Sequence, residues 1–123
     1  VFALGPGGPA DLVYAGARLP SGEDLAALGH ASARGRHESQ PDRPPRPGLL
    51  PERKGGWGGT PTLALRQGGL RVETDCRLTA WHGAARAITF TFADQLADIT
   101  VEVTWRIGAG DVVVSQITLT NTG

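Results

Sequence analysis

Methionine is absent from this chain, and cysteine occurs once, at Cys76. A single cysteine excludes an internal disulfide and a cysteine-built metal cluster. Cys76 alternates with Val72, Thr74 and Leu78, the pattern of a small side chain turned into a core. No apolar run approaches the ~18 residues of a membrane span, and no secretory leader is visible. Neither charge sign dominates: 12 basic side chains balance 12 acidic ones. A neutral chain offers no one-signed field, so neither nucleic acid nor an acidic membrane surface is expected as a partner. At 123 residues beginning with Val1, the chain reads as one domain at most, and as a piece of a longer protein.

Glycine and proline are plentiful, with 18 and 9 copies gathered mostly in the first half. Residues 1–29 read as short strands and a turn. Phe2 and Leu4 alternate, Gly5-Pro6-Gly7-Gly8-Pro9 interrupts, and Leu12-Val13-Tyr14 resumes. Pro20 to Asp24 supplies a turn and a helix cap, Leu25 to Leu28 one helical turn, and Gly29 its end. Residues 30–61 form a long Pro/Gly/Arg-rich loop without periodicity.

Residues 62–123 alternate with a period of two, as strands must when successive side chains point to opposite faces. Strands are predicted over Thr62 to Gln67, from Leu70 through Leu78, through Ile88-Phe90-Phe92, over Ile99 to Ile107 and over Val112 to Thr120. Gly68-Gly69 is a hairpin turn suited to positive φ. Short connections imply an antiparallel meander, and its apolar face needs a second layer. The predicted fold is therefore all-β, an antiparallel β-sandwich.

Catalytic motifs are lacking. Asp94 and Asp98 flank a strand connection, where acidic residues serve turns better than acid–base chemistry. His30, His37 and His82 lack ligand spacing and read as exposed loop residues, so no metal or other cofactor is expected. Gly5 to Gly8 has no following Lys-Ser/Thr and is no phosphate loop. The basic segment from Arg34 to Arg46 is broken by Glu38 and Asp42 and carries no aromatics. Trp105 falls on an apolar strand face and is assigned to the core; Trp81, beside His82-Gly83, is open between turn packing, the favoured reading, and ligand contact. Trp57 lies between Gly55-Gly56 and Gly58-Gly59. Such a ring packs on its own strands, stacks on a sugar, or fills a partner's pocket.

Three segments together resemble a known family. Leu12-Val13-Tyr14-Ala15-Gly16-Ala17-Arg18-Leu19 resembles an N-terminal strand of family 36 glycoside hydrolases, the α-galactosidases. The stretch from Leu50-Pro51 to Thr60-Pro61 resembles their proline-to-proline loop. Ile99 to Trp105, Asp111-Val112-Val113 and Leu119-Thr120-Asn121-Thr122-Gly123 resemble the strands that follow. The resemblance implies part of a β-supersandwich preceding a (β/α)₈ barrel in a cytoplasmic, homo-oligomeric retaining enzyme that releases terminal α-linked galactose. The two catalytic aspartates would belong to the barrel, so this chain alone is expected to be silent, serving assembly and the rim of the α-galactoside site. In relatives the loop carries Gly-Asp-aromatic and reaches an active site, in some oligomers a neighbour's. Here Gly56-Trp57-Gly58 places Trp57 at the aspartate's position, exchanging a hydrogen bond for stacking. The competing readings are a free-standing carbohydrate-binding module, using Trp57, Trp81 and Tyr14, and a structural interaction domain.

Overall fold

A computed structural model describes residues 1–4, 10–32 and 48–123. The loop Gly5 to Gly8, the segment Arg34 to Arg46 and His37 lie outside the described residues. The fold is all-β and every strand pairing is antiparallel. Strand β1 (Phe2–Leu4) pairs with β2 (Ala10–Leu12) in one hairpin, and β3 (Leu65–Gln67) with β4 (Leu70–Val72) in another. Strands β5 (Arg77–Ala84), β6 (Ala87–Asp94), β7 (Ile99–Ile107) and β8 (Val113–Asn121) form a four-stranded meander in sequence order.

Local chemistry explains the turns. Gly68 and Gly69 both take positive φ, 57° and 84°, as a two-residue hairpin matched to strand twist requires. Between β6 and β7, Asp94 Oδ1 accepts from the backbone N of Leu96 and Ala97 at 2.9 and 3.1 Å. Asp94 thus does the turn service reserved for it. One helix, α1 (Leu25–Ala31), is capped by Asp24, whose Oδ1 accepts from Ala26 N and Ala27 N. The helix runs through Gly29 instead of stopping there. It therefore crosses the expected boundary between the first two segments. His30 sits in its last turn.

The strand predicted from Leu70 through Leu78 is two strands. Its middle leaves the ladder because Asp75 N donates to Asp94 Oδ2 at 2.7 Å and Cys76 N to Glu52 Oε2 at 2.9 Å. Side-chain carboxylates replace strand partners, so β4 ends at Val72 and β5 starts at Arg77. β5 then continues through Trp81, His82 and Gly83, so Trp81 and His82 belong to a strand and not to a turn or loop.

Opposed residues of an antiparallel pair share a face. Leu78, Phe92, Val101 and Leu119 make one apolar row, and Trp81, Phe90, Val103 and Ile117 the next. Over β6 and β7 this face is covered: Phe90, Phe92, Val101 and Val103 are buried with Ala10 and Leu50. Phe2 closes on it edge-on, 4.8 Å from Phe90 and 5.8 Å from Trp105 between ring centroids. Trp105 accordingly packs against the core and is itself half-buried. Cover thins toward the edges, where Trp81 is 56% exposed, Ile117 46% and Leu119 47%.

Candidate functional site: the Trp57 loop

The loop from Pro51 to Thr62 is closed at its base by Thr62 N donating to Pro51 O at 2.9 Å. Glu52, 8% exposed, organises the interior. Its carbonyl accepts from Gly55 N and Trp57 N, both at 3.1 Å, while its carboxylate holds Cys76 N. One residue therefore folds the loop and fastens it to the entry of β5. The other carboxylate oxygen, Oε1, is buried without a hydrogen-bond partner among the described residues.

The glycines around Trp57 have separate causes. Gly56 takes φ 83°, a conformation side chains disfavour. At Gly59 an added Cβ would come within 2.8 Å of the Trp57 ring, so the ring lies directly on that residue. The indole Nε1 donates to Thr60 O at 2.9 Å. Trp57 is thus half-buried against its own loop, its N–H already engaged.

Beside the loop, Gly58, Gly59 and Thr60 line a cavity of about 540 Å³ together with Arg53, Arg66 and Arg71. Trp57 does not line it. Arg71 is paired with Glu73 at 3.2 Å. The aromatics that a carbohydrate-binding module would align are dispersed: Trp57 is on this loop, Trp81 on β5, and Tyr14 follows β2. Tyr14 lines a different cavity, which neither tryptophan lines.

Around the entry of β5, charge is used structurally. Arg77 beside Asp75, helped by Lys54 at 3.2 Å, holds the Asp75 carboxyl below its ordinary range. Burial works against ionisation of Asp94, but backbone N–H groups of Asp75, Ala97 and Leu96 outweigh it and lower its pKa. Burial, then the Glu52 charge, pushes the Cys76 thiol up to about 12, so it stays protonated and unreactive at neutral pH. Among the described residues, no three His, Cys, Asp or Glu side chains gather as metal ligands would. Nor is any helix among the described residues long and apolar enough to cross a membrane. Sequence reading singled out Trp57 but not Glu52, whose role depends on Cys76, 24 residues away. No protein-family model, curated protein or solved structure matches the chain.

Proposed function

We propose that the chain is a non-catalytic N-terminal β-domain of a cytoplasmic α-galactosidase of the family 36 type, part of a β-supersandwich that serves assembly and the rim of the substrate site. The observation that carries this reading is the apolar sheet face, covered over β6 and β7 and open along β8, where Val113, Ile117 and Leu119 are exposed. Such a face suits a scaffold that docks on other protein, its own barrel or a second copy. The order and spacing of the three resembling segments supply the enzyme class. The Trp57 loop, closed at its base and pinned by Glu52, suits a rigid projection at the rim of a galactoside site.

The same reading makes β8 the contact between copies. Thr122 N donates to Asp98 O, and Gly108 N to Val112 O, both at 2.7 Å. These opposed pairs set the parity of the β7–β8 ladder. Val114, Gln116, Thr118 and Thr120 turn their backbone groups toward β7; Val113, Ser115, Ile117 and Leu119 turn theirs outward. A two-fold axis at Ile117 would set Ile117 against its own counterpart and Ser115 against Leu119, joining the apolar faces on one side.

The test is the adjoining coding sequence and the full-length protein. A barrel with paired aspartates and turnover of p-nitrophenyl α-galactoside are expected, with none from this chain alone. Trp57→Ala should lower kcat/KM several-fold while leaving the fold intact. A full-length protein without galactosidase activity would overturn the assignment. Unchanged kinetics in the variant would reduce Trp57 to a brace of its own loop.

A further inference from the structure

A cavity of about 590 Å³ opens at the far end of the sheet, between β1–β2, the segment after β2, and the β5–β6 and β7–β8 ends. Its volume falls within the ~300–1,000 Å³ usual for small-molecule sites. Phe2, Leu12, Ile88, Trp105 and Ile107 supply apolar walls. Every charged side chain type lining it is arginine: Arg18, Arg86 and Arg106, with no Asp or Glu. The charge this lends the cavity depends on where each arginine is engaged.

The arginines are not equivalent. Arg86 is staked to the end of β7, donating from Nε to Ile107 O at 3.2 Å and from Nη2 to Gly108 O at 3.0 Å. It also faces Asp111 at 3.6 Å, an acid whose side chain is 95% exposed. Arg106 occupies the β7 position opposite Ala87, on the face away from the apolar rows. Arg18 lies on the irregular segment after β2, and no ion pair engages it among the described residues. The wall that carries it is held in place: Val13 N donates to Val1 O at 3.0 Å, and Tyr14 Oη to Ala17 O at 3.0 Å.

We infer that this cavity binds a small monoanionic amphiphile, an aliphatic or aromatic carboxylate, with its body on the apolar walls and its carboxylate at Arg18. Burying the body supplies most of the affinity, because apolar transfer scales with area. The arginine sets the preference for an acid over a neutral analogue, since a partly exposed ion pair is a modest effect. The site is separate from the Trp57 loop and does not rest on the enzyme assignment.

Titration of the 123-residue chain with octanoate, and in parallel with octanamide, tests this by tryptophan fluorescence and backbone amide chemical shifts. Octanoate is expected to bind saturably, with shifts at Ala15 to Leu19, Ile88 and Ile107. Octanamide should bind about three- to five-fold more weakly. Arg18→Gln, an exposed change, should abolish that preference and leave octanamide binding unchanged; Ile107→Asp should weaken octanoate more than octanamide. Equal binding of acid and amide to the unaltered chain would overturn the proposal. So would a preference that survives Arg18→Gln, shifts confined to Ile117 and Leu119 on the open sheet face, or no saturable binding.

Discussion

Among the described residues the meander has two edge strands without a further partner, β5 and β8, and they are built differently. β5 carries a register irregularity between Leu78 and Ala80, a positive charge at Arg77 and a glycine at Gly83. Its approach is occupied too, since Asp94 and Glu52 take the N–H groups of Asp75 and Cys76. β8 has none of these devices: its nine residues, VVSQITLTN, contain no charge, glycine or proline, and its register with β7 is unbroken. Bulges and charges are what edge strands use to refuse another strand. The contrast teaches that one edge is closed to pairing and the other left open to it.

The largest effect expected from breaking this contrast comes from proline on either side of the β8 parity. At Thr118 the N–H faces β7, so Thr118→Pro should cost about 2–3 kcal/mol in chemical denaturation. At Ile117 the N–H faces outward, so Ile117→Pro should fold with a much smaller loss and fail to self-associate. Equal destabilisation by the two would refute the assigned parity.

Ile117→Lys comes next. Facing like charges cost several kcal/mol, so sedimentation should show self-association weakened more than tenfold. Trp81→Lys, at the corresponding row on β5, should leave association as it was. If the two lysines act alike, the edges do not differ in the way described.

The smallest effect concerns the closure of β5. Asp94→Asn should cost about 1 kcal/mol, because the amide nitrogen that replaces one carboxylate oxygen cannot accept from the backbone N–H groups of Asp75, Leu96 and Ala97 as both oxygens do. Because folding lowers the Asp94 pKa, its contribution is complete above the unfolded value of about 4 and is lost as pH falls from there through the lowered folded value. The variant should therefore show a shallower loss of stability in acid. An unchanged acid profile would remove Asp94 from the account of this edge.

Legibility followed the range of the interactions. The alternating runs of β6, β7 and β8, the Gly68-Gly69 turn and the Asp24 cap all depend on neighbours within a few residues, and each could be read directly. The break at residues 73–76 could not, because it is made by carboxylates 19 and 24 residues distant in sequence. Trp57 lies between these cases. Its partners, Gly59 and Thr60, are local, so an aromatic followed two residues later by glycine was a usable sign of a ring lying on its own loop. Arg18 gave no sign, since only the cavity around it distinguishes it from any other surface arginine.

By itself the sequence determined the class: period-two apolar alternation, glycine-marked turns and balanced charge leave an all-β antiparallel domain as the consistent solution. Tertiary structure decided which face was covered, where the strand after Gly69 ended, that Trp57 folds back on Gly59, and that Arg18 stands beside an apolar cavity. The physical reason is one of distance along the chain. Period and turn chemistry are written into adjacent residues, whereas burial, carboxylate anchoring and cavity charge exist only once remote segments meet.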